Sequence, residues 1–448
     1  MATSVSAGID DLPGSQAQRR TLSVLVAAQA LSGAGLAAGV TVGALLAQDM
    51  LGSTSLAGLP SALGTAGSAL AAVAVGRISQ ARGRRPGLVA GYLTGAIGSV
   101  GVIAAAVADN PILLFVALFV YGAGTSTNLQ ARYAGADLAG PEHRARAVST
   151  VLVATTLGGV VGPNLTAPTS DLAHALGIPH LAGPFLLAGA AYALAAVVLA
   201  IWLRPDPLLL ARALEADRIG AQSDNADHPP RDAVERRGSG VLVGAVVMVL
   251  TQFVMVAIMT MTPVHMRDHG HSTAAAGLVI AIHLGAMYLP SPLTGWLVDR
   301  YGRFTIAAVS GLTLLGAGIV AACAPGDSVA LLTVALTLLG LGWNFGLVAG
   351  TAIITDAVPL ATRAKTQGLV DVAIAIAGAT GGMASGLVVA AADYPRLAIG
   401  GGILALAIVP VVAAAARKSL PGWALFPAAH GTDSAPPAAA DPRDVSAE

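Results

Sequence analysis

The chain has 448 residues, 55% of them hydrophobic and 11% charged, and its 24 basic and 24 acidic residues leave a formal net charge of zero at pH 7. A mean hydropathy of +0.74 cannot be hidden in one soluble core, so composition alone predicts an all-α membrane protein with the lipid bilayer as its main partner. The balanced charge excludes a nucleic-acid face, and the single cysteine, Cys323, excludes an internal disulfide.

The first 21 residues are polar and include Arg19 and Arg20, which predicts a cytoplasmic N-terminal segment (1–21) without a cleavable signal. Apolar runs of about 20 residues, each able to cross ~30 Å of hydrocarbon as a helix, then follow one another. Six fall over 22–48, 56–78, 87–108, 112–134, 147–170 and 183–203. After a charged stretch, 204–240, read as a cytoplasmic linker, six more cover 241–262, 274–297, 304–324, 329–355, 367–391 and 397–416. The sequence therefore predicts twelve transmembrane helices in two six-helix halves, 22–203 and 241–416, with a disordered cytoplasmic tail over 417–448 rich in Ala, Pro and Asp. With both termini cytoplasmic, 22 of the 24 Lys and Arg residues lie inside, Arg267 and Arg396 being the exceptions.

The halves repeat. Gly76 through Arg84 matches Gly295 through Arg303, and Asp137 through Arg144 with Arg146 matches Asp356 through Arg363 with Lys365, both at an offset of 219 residues. Duplication of six helices is a transporter signature.

Residues 248 to 287 hold six of the nine methionines (Met248, Met255, Met259, Met261, Met266, Met287) and four of the nine histidines (His265, His269, His271, His283). Met255 with Met259, and His283 with Met287, stand at i, i+4 spacing on consecutive predicted helices, so each pair shares a helix face. Thioether and imidazole select Cu(I), a soft monovalent ion that needs neutral polarisable donors to offset its lost hydration. By helical rise the donors would descend as a ladder, Met259 ~5 Å and Met255 ~10 Å below the outer surface and the second pair at ~14–20 Å. His265, Met266, His269 and His271 at the mouth could collect ions. The alternative is that methionine is apolar filler and that His283 is a proton relay or a hydrogen-bond partner.

Other polar groups mark a cavity: Gln29, Asn128, Gln252 and Asn344 fall on the first, fourth, seventh and tenth predicted helices, as interhelical hydrogen bonds or as ligands. Asp371 is an acid inside the eleventh span, suited to carry a coupling proton or to pair with Arg363 or Lys365.

The loop Gly295-Trp-Leu-Val-Asp299-Arg300-Tyr-Gly302-Arg303 resembles the signature loop of the major facilitator superfamily. That resemblance implies the superfamily's fold over essentially all twelve helices, and a gating role for Gly295, Asp299, Arg300, Gly302 and Arg303. The first-half counterpart has Gln80 and Ala81 where the family has Asp and Arg, which predicts a weak first-half latch. Within the superfamily, the Met-x-x-x-Met and His-x-x-x-Met pairs resemble the CcoA-like copper importers of the bacterial inner membrane. That implies import of copper as transported substrate rather than cofactor, Met255, Met259, His283 and Met287 as its ligands, and a cytoplasmic copper-accepting protein as partner. The competing transport reading is a proton-coupled exporter of drugs or small organic metabolites, since Gly158-Gly-Val-Val-Gly162-Pro163 resembles the antiporter motif of that group. A membrane sensor lacks an effector domain, and an enzyme lacks any triad or phosphate loop.

Overall fold

The computed structural model describes residues 13–51, 59–222 and 231–419. Of the expected cytoplasmic ends, residues 1–12 and 420–448 lie outside the described residues. The first half comprises α1 (Pro13–Leu51), α2 (Leu59–Arg82), α3 (Arg84–Val107), α4 (Pro111–Ala136), α5 (Arg144–Asn164), α6 (Thr166–Ala175) and α7 (Gly183–Trp202). The second comprises α9 (Arg231–Asp268), α10 (Thr273–Tyr288), α11 (Ser291–Tyr301), α12 (Arg303–Cys323), α13 (Val329–Ala357), α14 (Arg363–Ala391), α15 (Tyr394–Leu406) and α16 (Ile408–Ser419). The stretch between the halves holds a further helix, α8 (Pro207–Gln222).

Three runs expected as single helices are split, giving α5/α6, α10/α11 and α15/α16. Ten of the described helical stretches are long and apolar enough to cross a membrane, and α1 and α5 supply the other two rods of the expected twelve. Helix starts are written locally. The side chains of Asn110, Ser272, Ser328 and Asp393 each accept the amide three residues on, satisfying a donor that the first turn leaves unpaired.

Each half has its own apolar core. Tyr92, Tyr121, Phe185 and Tyr192 anchor the first; Leu336, Trp343 and Leu347 anchor the second, which α5 joins through Ala145, Val148 and Leu152. Lipid supplies little hydrophobic drive between helices, so close backbone approach through small residues does the packing. Gly340 of α13 lies against the α10 backbone at His283 and Met287, and Gly76 of α2 faces Gly368 of α14 across the two halves. The halves also meet where α11 packs on α5, at the end of the bundle that carries Arg82, Arg85, Arg144, Arg146, Arg300 and Arg303, here called the basic end. The glycines of the two equivalent tight turns there, Gly83 and Gly302, have φ of 99° and 93°, a conformation that a side chain would strain.

A Cβ at Gly340 would lie 2.6 Å from the His283 carbonyl oxygen, whereas one at Gly316 of α12 meets nothing within 4 Å. Gly340→Leu is therefore expected to destabilise the fold by about 1–3 kcal/mol, seen as a lower apparent melting temperature in detergent, with Gly316→Leu within experimental scatter of the parent.

Candidate functional site

The basic end is closed by contacts between the halves, and they obey the internal repeat. Asp299, at the end of α11, accepts the amides of Ala145 and Arg146 at the first turn of α5, both at 3.1 Å. At the equivalent place Gln80, near the end of α2, accepts the amides of Ala364 and Lys365 at the first turn of α14, at 2.8 and 3.3 Å. Each acceptor caps a helix of the other half, where orphan donors and the positive end of the helix dipole favour it. The expected weakness of the first-half latch is thus corrected. The one amide oxygen of Gln80 accepts two bonds where the two carboxylate oxygens of Asp299 accept one each, and the Gln80 Nε2 adds donation to the Ala361 and Leu360 carbonyls at 2.6 and 3.3 Å.

Charged pairs fill the space around the two caps. Arg84 bonds Asp137 at 2.7 Å and, across the halves, the Gln367 amide oxygen at 2.6 Å, while Arg363 reaches Asp137 at 3.9 Å. Asp356 takes both Arg144 of the first half and Arg303 of its own, and Arg303 also donates to the Pro141 carbonyl at 2.7 Å. Helix α8 straps the assembly from outside: Arg212 donates to the carbonyls of Gln80 and Leu360, and Asp206, just before the helix, accepts the Arg85 amide at 2.7 Å.

Deeper in the bundle lies a fully buried cross-half pair. Arg132 of α4 donates to Asp371 of α14 at 2.8 Å and to Thr351 of α13 at 3.1 Å, and the Tyr133 hydroxyl donates to the same Asp371 oxygen at 3.1 Å. Asp371 therefore pairs with neither Arg363 nor Lys365, the partners considered from the sequence, but with an arginine 239 residues away. The other carboxylate oxygen, Oδ2, is buried without a hydrogen-bond partner. Helix α10 ends at Tyr288. Its ring meets Trp343 of α13 edge-on at 5.6 Å, and the Trp343 indole N–H donates to the Gln252 side chain of α9 at 2.8 Å. An aromatic pair and an amide thus meet within the second half, along the helix α13 that also offers Thr351 to Arg132.

The remaining polar residues are spent within their own halves. Gln29 donates to the Asn128 carbonyl and to Thr155, and accepts from the Tyr92 hydroxyl at 2.6 Å; the Asn128 amide donates to Ser32 at 2.9 Å. Asn344 donates to the Met287 carbonyl and to Ser291, both at 2.7 Å. Of the glycines late in α5, Gly158 serves helix contact: a Cβ there would collide with the α1 backbone at Ala30 and Ala34, whereas one on Gly159 meets nothing within 4 Å.

The soft donors are distributed as follows. Met255 and Met287 are buried in the second-half core, Met259 is half-buried against it, and His283 is fully buried with its Nδ1 2.8 Å from the Leu336 carbonyl of α13. A carbonyl can only accept, so Nδ1 carries the proton and the buried Nε2, which has no hydrogen-bond partner, holds the lone pair. Both α9 and α10 pack on α13. Among the described residues no group of three or more His, Cys, Asp and Glu side chains is arranged to hold a metal ion. At the far end of α9, His265 stacks on Tyr394 and lies 4.3 Å, ring to ring, from His269; the His271 Nε2 is held by the Gly326 carbonyl, and Met266 is fully buried.

If the two caps hold the seal, removing one loosens it for the whole basic end. Ser149 of α5 is fully buried beneath Gly295. In a Cys323→Ser background, maleimide labelling of Ser149→Cys should therefore accelerate about fivefold with Asp299→Ala or Gln80→Ala, the effect of losing a cap of about 1 kcal/mol. Gln80→Asp should leave the rate near its starting value.

Comparison with known proteins agrees with this architecture. The family model described as Major Facilitator Superfamily matches residues 21–282 and again 241–438. A Bacillus subtilis protein named as an uncharacterized MFS-type transporter, YdeG, is 59% identical over 396 residues, 88% of this chain and 91% of its own length. The riboflavin transporter RfnT of Brucella anthropi is 33% identical over 361 residues, 79% of this chain and 85% of its own. Among solved structures, the human organic anion transporter MFSD10 superposes with a TM-score of 0.70 at 16% identity, covering 88% of this chain and 99% of that one. The proton:xylose symporter XylE gives 0.69 at 17% identity, covering 89% and 95%. With two matched halves and relatives aligned along most of its length, the chain belongs to the major facilitator superfamily, a family of multi-pass secondary transporters and not of enzymes.

Proposed function

We propose that the chain carries a small organic solute with a planar, polar ring system across a bacterial inner membrane by alternating access, coupled to protons through Asp371. The observation that carries this reading is the contact of Tyr288 with Trp343 and of Trp343 with Gln252, on the helix α13 whose Thr351 also bonds Arg132, above a sealed basic end. Flat aromatic walls give a ring large contact area at low entropic cost, an amide reads its polar edge, and a buried cation favours an electron-rich or anionic group. The riboflavin transporter among the relatives carries a solute of that kind and makes riboflavin the first compound to test. The positive-inside rule puts the basic end in the cytoplasm, so the seal is an inner gate and the closed form faces outward.

Proton coupling follows from the placement of the acid. Asp371 and Arg132 belong to different halves and can stay paired only while the basic end is shut. A proton on Asp371 removes the charge that holds Arg132, and a lone buried charge costs several kcal/mol, so the halves would separate to rehydrate it. Whole-cell uptake of labelled riboflavin should fall at least tenfold with Trp343→Ala or Tyr288→Ala at matched expression. Asp371→Asn should abolish accumulation against a gradient while exchange persists. Unchanged uptake in the aromatic variants would remove this site from the path.

A second reading, copper import toward a cytoplasmic copper-accepting protein, rests on one observation: the buried His283 Nε2 has a free lone pair while its Nδ1 donates to a carbonyl, the tautomer a metal-binding imidazole uses. Met255, Met259 and Met287 would supply the thioethers, and His265 and His269 the mouth. Copper uptake that falls in a Met255, Met259, His283, Met287 quadruple alanine variant, with riboflavin uptake unchanged, would favour it.

A further inference from the structure

The eighth span of the bundle is broken, and one side chain holds the break. Helix α10 ends at Tyr288 and α11 begins at Ser291. Pro290 and Pro292 have no amide hydrogen, so the carbonyls of Ala286 and Tyr288 lose the donors that a continuous helix would give them. The carbonyl between them, on Met287, receives the Asn344 side-chain amide at 2.7 Å. Asn344 is itself oriented by its neighbours across the break: its Nδ2 also meets Ser291, and the Thr294 hydroxyl donates to its Oδ1. Asn344, Ser291 and Thr294 are fully buried and Met287 nearly so, whereas Pro292 is exposed.

The two pieces of the broken helix belong to different partners. Helix α10 lies along α13 of its own half, where Gly340 lets the backbones touch. Helix α11 lies along α5 of the other half, where Gly295 sits against Ala145 and Ser149 and Asp299 caps the first turn. The internal repeat provides a comparison. At the offset of 219 residues, Ala71 and Val73 stand where the prolines are, Ala72 and Val75 where Ser291 and Thr294 are, and Thr125 where Asn344 is. There α2 runs unbroken from Leu59 to Arg82. Prolines and clamp are present together in one half and absent together in the other.

We infer that the Tyr288–Ser291 break is the hinge of the inner gate, that Asn344 is its positioning residue, and that α11 swings about it away from α5 while α10 keeps Tyr288 against Trp343. This rests on the reading that the chain alternates between a sealed and an open basic end, but not on the identity of the solute. The clamp supplies a donor to a carbonyl at the bend, so the hinge has a defined geometry instead of melting. Within the second half the bend is thereby placed between α10 and α11, and Tyr288 keeps its place against Trp343.

The test needs no solute. Spin labels on Glu142→Cys, in the loop before α5, and Tyr301→Cys, at the end of α11, both exposed, would report the gap in the full-length chain in lipid nanodiscs, with Cys323 replaced by Ser. The parent is expected to give a short and a long distance. Asn344→Ala should shift the ratio of the two about fivefold, the effect of one buried hydrogen bond. In a Pro290→Ala/Pro292→Ala chain, where the amides are restored, the same Asn344 change should shift it less than twofold. Thr294→Val, nearly isosteric, removes only the hydroxyl that orients Asn344 and should act in the same direction, which keeps the test decisive if Asn344→Ala does not fold. An equal shift in both backgrounds, or parental populations in the straightened helix, overturns the hinge and leaves alternating access standing. A single distance in every variant overturns both.

Discussion

The structure depends on two side chains, Asp299 and Gln80, each capping the first turn of a helix in the opposite half. Neither cap is strong alone. Each joins the two halves at a helix start whose first amides lack partners, so the acceptors help set how the halves meet. The packing around the caps goes with that arrangement: Gly76 meets Gly368, Gly295 meets α5, and the Arg84, Arg144 and Arg303 pairs fall into reach. A seal of many modest interactions can open on a biological time scale, whereas one apolar interface of the same extent would hold the carrier shut.

Above the seal the chemistry changes from surface pairing to a buried charge pair. Arg132 and Asp371 are both almost fully removed from water, and each is tolerable there only with the other. In the proposed cycle the pair forms when the basic end is shut, and neutralising Asp371 acts on the gate through it. The aromatic pair of Tyr288 and Trp343 shares α13 with Thr351, a partner of Arg132, so in the proposed cycle a solute seated there and a proton on Asp371 act on one helix.

Much of the fold was legible in the sequence because the code for it is local. Apolar length marks the spans, the basic loops are clustered, and the 219-residue repeat exposes the two halves. The same repeat held the equivalence of Gln80 with Asp299, but the departure from a carboxylate was read as a loss when the cap needs only an oxygen acceptor. The break in the fifth span was legible as a bend at Pro163, whereas those in the eighth and twelfth spans were hidden by hydropathy, which prolines inside an apolar run hardly disturb. The partner of Asp371 was not legible, because Arg132 lies 239 residues earlier and only the sealed arrangement of the halves brings them together. The methionine and histidine spacings are real, yet spacing fixes only a face of one helix. On the folded chain two of the methionines point into an apolar core, and Asn344, read as a cavity group, is engaged with a backbone carbonyl.

The most direct test of the account is counterflow in proteoliposomes: purified protein, vesicles preloaded with unlabelled riboflavin, and a trace of labelled riboflavin outside. The account expects transient accumulation of label that disappears with Trp343→Ala and survives Asp371→Asn, since exchange needs the solute site and the moving gate but no net proton. Absence of accumulation by the parent protein, or accumulation unaffected by Trp343→Ala, would contradict it.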